Sequence, residues 1–262
     1  MVSVGRRISQ KLLLSIGAAR PFNHSAMARR AELTAELSAR YGNTVIEGPF
    51  AGMLLPGLSS QEDGDRAPKL LGTYEENLHN CIATAVARDP DLVINVGCAE
   101  GYFAVGLAML LPKATVHAFD IDPLAVEACA RAASLNGVSD RLLVHSAYRA
   151  ETLTDLMGDK SKALIFMDCE GAEVGLLDPA VAPTLSVCDI IVETHDLEAP
   201  NAMRILEGRL SSTHTIERIP QGGRDPNRFS QLQSWPEMDR WLVVSETRPQ
   251  GMIWLFCSAI NR

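Results

Sequence analysis

Short apolar runs alternate with longer amphipathic stretches through the middle of this chain. The runs at Leu92–Val96, Thr115–Phe119, Leu142–His145, Ala163–Met167 and Ile190–Glu193 have strand length and are largely apolar. Between them, Tyr102–Leu111, Pro123–Asn136, Arg149–Met157 and Gly171–Leu177 read as helices. That alternation predicts repeated β-α-β units and a mainly parallel sheet. Further on, Thr213–Ile219 and Met252–Ile260 read as two strands separated by a Gly/Arg/Pro-rich loop at Gln221–Arg228 and a Trp-containing segment. Joined by so long a connection, they can pair antiparallel and close one edge. Upstream, Met27, Leu33, Leu37 and Tyr41 fall at helical spacing and predict an amphipathic helix over Ser25–Arg40. Thr44–Leu55, punctuated by Gly48, Pro49 and Gly52, predicts a short hairpin or two irregular strands, and Pro56–Ala67 a surface loop.

Composition narrows the class. At 262 residues, with 47% hydrophobic and 21% charged positions, the chain has enough apolar material for one buried sheet. The balance of 24 Lys+Arg against 32 Asp+Glu gives a net charge of −8, and no cluster of basic residues stands out beyond Arg29–Arg30. General nucleic-acid binding and attachment to an anionic membrane are therefore not expected, because both need concentrated positive charge. Six cysteines are scattered without a CxxC pair and read as reduced core residues, so neither a disulfide nor a structural metal is expected. The apolar stretch Leu12–Ile16 is too short, and too soon interrupted by Gly17 and Arg20, for a signal peptide. A cytoplasmic protein is the expectation.

The strongest local signal is Leu92-Val93-Ile94-Asn95-Val96-Gly97-Cys98-Ala99-Glu100-Gly101-Tyr102, an apolar strand entering a glycine turn and then a helix. The glycines permit unusual φ values, and the free N–H groups of a helix start suit an anion. The spacing is GxxxG, whereas dinucleotide folds use GxGxxG to admit a pyrophosphate. S-adenosylmethionine (SAM) carries no pyrophosphate, so the turn favours SAM over NAD. The next strand ends at Asp120, 23 positions after Gly97, where a carboxylate can accept both ribose hydroxyls. Asp122, before Pro123, reads as a helix cap.

Met167-Asp168-Cys169-Glu170-Gly171-Ala172-Glu173 follows the fourth strand, Gly72-Thr73-Tyr74-Glu75 precedes the glycine turn, and Ile191-Val192-Glu193-Thr194-His195 lies on the fifth strand. With these motifs the chain resembles the FkbM-type family of class I SAM-dependent methyltransferases, well over Gly72–Glu193 and loosely in the tail. Three departures stand out: Asn95 where that family usually has Asp, Ala99 where Asn is frequent, and Ser146-Ala147 where an acidic or amide residue faces adenine. The resemblance implies a Rossmann-like, seven-stranded α/β fold with helices on both faces. It divides the chain into an N-terminal helix and irregular β extension (1–70) and a SAM-dependent methyltransferase domain (71–262). It implies SAM as cofactor, held by Tyr74, Glu75, Asn95, Gly97, Gly101, Asp120, Ile121, Ser146 and Asp168. The acceptor it implies is an oxygen on a sugar or another small metabolite, and a peptide or protein acceptor is also open.

Methyl transfer is an in-line displacement, so the protein positions a nucleophile and removes its proton. His195 and Asp168 are the expected catalytic residues. His195 and Glu193 lie two apart on a strand and share a face, although a histidine that merely bonds backbone fits as well. Crowding of Asp168, Glu170 and Glu173 can raise one carboxyl's pKa or gather a cation; helix capping by Glu170 with a solvated Glu173 is the plainer reading. The spacing of Asp168, Glu170, Glu193, His195 and Asp196 is not diagnostic for a metal, and none is expected. Tyr74 and Glu75 can fold over the cofactor, while Thr73 and Glu76 also read as a capping box. Arg224, Arg228 and Arg248 are candidates for holding an anionic substrate. Two rivals remain, a nicotinamide-dependent oxidoreductase and a catalytically silent SAM-fold partner protein.

Overall fold

Five strands, β1 (Leu92–Val96), β2 (Thr115–Phe119), β3 (Leu142–His145), β4 (Ala163–Met167) and β5 (Cys188–Thr194), run parallel in the computed structural model. Two more, β6 (His214–Pro220) and β7 (Ile253–Ala259), extend them into one seven-stranded sheet of order β3-β2-β1-β4-β5-β7-β6. β7 runs antiparallel to both β5 and β6. The structure describes residues 21–56, 65–158, 160, 162–246, 248 and 251–260. The apolar stretch Leu12–Ile16 and most of the expected loop Pro56–Ala67 lie outside them.

Along each central strand, side chains alternate between two cores. Val93, Leu164 and Phe166 enter one; Leu92, Ile94, Ile165 and Met167 enter the other. The first core is roofed by α3 (His79–Ala87) and α4 (Tyr102–Leu110), and it also takes Leu33 and Leu37 from α1 (Pro21–Tyr41) together with Val45, Phe50 and Met53. The N-terminal extension therefore shares a core with the sheet. Helices α5 (Pro123–Leu135), α6 (Thr152–Met157), α7 (Glu173–Leu176) and α8 (Ala202–Leu210) complete the crossovers, and α9 (Glu237–Val244) packs on α1. Among the described residues no helix is long and apolar enough to cross a membrane.

Several elements differ from their sequence expectation. The hairpin at Thr44–Leu55 reduces to one antiparallel bridge, Thr44 to Leu54, with Val45 N donating to Met53 O at 2.8 Å. The expected loop ends early because Arg66 and Ala67 open α2 (Arg66–Leu71), whose six residues are all buried. β5 starts at Cys188 rather than Ile190, since the intervening Asp189 is satisfied by Arg88 at 2.8 Å and by the Ala259 N–H. Thr73 does not cap a helix: its hydroxyl faces Pro68 O, Glu75 is left-handed at φ 50°, and a short 3-10 turn over Glu76–Leu78 precedes α3. Asp122 does cap α5, accepting from Leu124 N at 2.9 Å.

Candidate active site

The strand order reverses direction between β1 and β4, and a crevice at the carboxyl ends of such strands is where open α/β sheets bind ligands. Four sequence-predicted segments meet there. Gly97 follows β1, Asp120 follows β2, Asp168 follows β4, and His195 follows β5. Gly97 has φ 77°, and a Cβ on it would overlap the Asp168 carbonyl oxygen, so the two strand ends approach as closely as backbone allows. Gly101 has φ 95°, begins α4, and abuts Cys129 of α5. Three non-glycine residues around this crevice, Glu75, Ala99 and Glu170, also have positive φ (50°, 47° and 57°). Such backbone is sparsely populated and concentrates at ligand sites.

On the cofactor side, Asp120 Oδ2 accepts from Ala99 N and its Oδ1 from Asp122 N, both at 2.9 Å, which fixes the carboxylate beside the glycine turn. Asn95 is 1% exposed; its Nδ2 donates to Phe166 O at 3.2 Å, while its Oδ1 has no hydrogen-bond partner. Tyr74 packs edge-on to Tyr102 at 5.5 Å and lies under Lys69 Nζ, and burial pushes its phenol pKa upward. Lys69 in turn pairs with Glu100 at 2.5 Å. Ile121 is 62% exposed directly after Asp120, and Ser146 is exposed beyond β3.

On the opposite side, Glu173 is fully buried, which corrects its reading as a solvated carboxylate. Its Oε1 accepts from Cys169 N and Gly171 N and lies 2.7 Å from His195 Nδ1. The other ring nitrogen, Nε2, is 3.5 Å from Asp168 Oδ1 and 3.4 Å from Glu193 Oε2. Burial alone would lower the His195 pKa, but Glu173, Glu193 and Asp168 outweigh it and lift the imidazolium to about 11. Burial and the Glu193 charge push the Asp168 carboxyl well above the ordinary carboxylate range, against the pull of His195. A histidine held charged is a poor proton acceptor.

The three candidate arginines do not form an anion pocket, because each is committed to carboxylates. Arg224, 7% exposed, pairs with Glu246 at 2.6 Å and donates to Thr73 O. Arg228 pairs with Glu76. Arg248 joins Glu75, Glu193 (2.9 Å) and Glu246 (3.3 Å), tying the Tyr74–Glu75 segment to β5. Glu246 and Lys69 were not singled out from the sequence. Their nearest ion-pair partners in space, Arg224 for Glu246 and Glu100 for Lys69, lie 22 and 31 positions away, and no local spacing marks them.

Sheet order and antiparallel β7 give the Rossmann-like, seven-stranded α/β fold that class I SAM-dependent methyltransferases share. Residues 79–165, about a third of the chain, match a family described as ribosomal protein L11 methyltransferase (PrmA). The ribosomal protein L11 methyltransferase of Salmonella dublin is 31% identical over 117 residues, covering 40% of this chain and 40% of that protein. The match thus spans about two fifths of the relative's length. Among solved structures, cofactor-bound Rv0187 from MTB is 17% identical with a TM-score of 0.46, covering 95% of each chain. The O-methyltransferase TomG from Streptomyces achromogenes, in complex with SAM, is 13% identical with a TM-score of 0.47, covering 89% of this chain and 90% of that one. The expected small-molecule acceptor is corrected by the family match, whose members are named for a protein substrate. The signature at Asp168–Glu173, from which the small-molecule acceptor was expected, lies beyond the matched residues.

Proposed function

We propose that this chain is a SAM-dependent methyltransferase whose acceptor is a polypeptide. The observation that carries the cofactor half is the open carbonyl oxygen of Asn95, buried at the base of the glycine turn. A buried acceptor without a donor costs free energy unless a ligand supplies one, and the ammonium of SAM is such a donor. Asp120, anchored by two backbone N–H groups, offers its remaining lone pairs to the ribose hydroxyls. In this reading Tyr74, Glu75, Gly97, Gly101, Ile121 and Ser146 border the same space. SAM, when bound, supplies the electrophilic methyl group.

The acceptor half rests on the protein substrate for which the matched family is named. Asp168, at the end of β4, is the group in this reading that takes the acceptor's proton, with His195 holding its charge in place. An oxygen nucleophile, implied by the FkbM-type signature at Asp168–Glu173, is the finer part of the proposal. Incubating the chain with methyl-labelled SAM and a fractionated cell extract tests it. Label should enter acid-precipitable, protease-sensitive material, and tandem mass spectrometry should place it on a hydroxyl-bearing side chain. Asp120→Asn should weaken SAM binding by about tenfold or more, the worth of one charge-assisted hydrogen bond. Label found only in nuclease-sensitive or acid-soluble material would overturn the polypeptide acceptor.

A further inference from the structure

The geometry points to a divalent-cation site formed by Asp168 Oδ1, Glu193 Oε2 and His195 Nε2 at the carboxyl ends of β4 and β5. The three donor atoms lie within 4.8 Å of one another. Nε2 is 3.5 Å from the Asp168 oxygen and 3.4 Å from the Glu193 oxygen. Ligands about 2.0–2.2 Å from one ion, at tetrahedral or octahedral angles, stand roughly 3.0–3.6 Å apart. The imidazole–carboxylate edges already have that length.

Two further observations point to a ligand there. Glu193 is 1% exposed, its Oε1 is held by Arg248 at 2.9 Å, and its Oε2 has no hydrogen-bond partner; Asp168 Oδ1 is likewise buried without one. A cation would satisfy both oxygens at once, taking the place of the Nε2 proton that the charged His195 ring otherwise holds between them and releasing that proton to solvent. Behind the ring, Nδ1 sits 2.7 Å from Glu173 Oε1, itself anchored by the Cys169 and Gly171 N–H groups. A carboxylate behind the far nitrogen is the usual support of a metal-bound histidine, since it fixes the ring and turns Nε2 toward the ion.

The donor set of two carboxylate oxygens and one imidazole, with no thiolate, suits a hard or borderline divalent ion such as Mn²⁺ or Mg²⁺. Glu170 Oε2, 3.8 Å from Nε2, stands near enough to join on a small side-chain movement. This assignment departs from the expectation of no metal drawn from spacing alone. It goes beyond the methyltransferase reading and does not rest on it.

Mn²⁺ alone, titrated into the chelator-stripped full chain and followed by electron paramagnetic resonance of the free ion, should show one saturable site per chain. Glu193→Gln and His195→Gln should each weaken it at least tenfold. In the wild-type chain, which needs no variant to fold, bound Mn²⁺ should broaden the ring protons of His195 ahead of those of His117 and His145. Absence of saturable binding, binding unchanged in both variants, or broadening that spares His195 would overturn the site. SAM titrated into the stripped chain reports separately on the cofactor reading, so either can fail without the other.

Discussion

Gly97 and Asp168 close the floor of the crevice backbone to backbone: a Cβ on Gly97 would overlap the Asp168 carbonyl oxygen. Neither strand end can give way easily, because β1 and β4 are paired over all five of their residues and buried on both faces. Gly97→Ala also places a side chain at φ 77°. The substitution should lower stability by about 2–4 kcal/mol, read as a reduced urea midpoint with unchanged slope.

Ala99, two positions on, shows the reverse case. It holds φ 47° with a side chain that left-handed backbone disfavours. Ala99→Gly relieves that strain, and the glycine's extra freedom in the unfolded chain offsets only part of the gain. A stability increase of about 0.5–1 kcal/mol is expected in the same assay.

The central β-α-β rhythm was legible because β1, β4 and β5 are buried on both faces and all five parallel strands stand out as short, largely apolar runs. Gly97, Asp120 and Asp168 were legible for a related reason: each follows such a run, and parallel topology delivers all strand ends to one crevice. What the sequence did not reveal depends on partners far along the chain. Asp189 lay outside the expected strand, and the Arg88 that admits it to β5 is 101 positions away. Arg224 and Arg248 looked like free cations until Glu246 and Glu75 were seen against them. Glu173 fitted a solvated reading as well as a crowded one because nothing near it in sequence shows that His195, 22 positions on, lies against it. The Thr44–Leu55 segment kept only one bridge because its glycines and Pro49 make turns in place of ladder bonds.

The N-terminal helix is part of the main core, and Leu37 is fully buried there. Leu37→Ala should cost about 2–5 kcal/mol in one cooperative transition. A separate, earlier transition for the helix, seen by circular dichroism, would mean that it folds apart from the sheet.

Glu246 gives stability a defined pH dependence. Burial raises its pKa from 4.5 to about 7, against the pull of Arg224. The folded chain therefore keeps this proton at pH values where the unfolded chain has released it. Its contribution is full below pH 4.5 and declines as pH rises through about 7. Across that window Glu246→Gln should remove a downward slope of about 1.4 kcal/mol per pH unit, measured as the difference between wild-type and variant denaturation midpoints.

Calorimetric titration of the purified chain with SAM and, separately, with NAD bears most directly on the central claim. The site described above predicts saturable binding of SAM with one molecule per chain, and no saturable binding of NAD, whose pyrophosphate meets Cys98 and Ala99 in place of a dinucleotide fold's glycine. Binding of NAD in preference to SAM, or of neither, would contradict it.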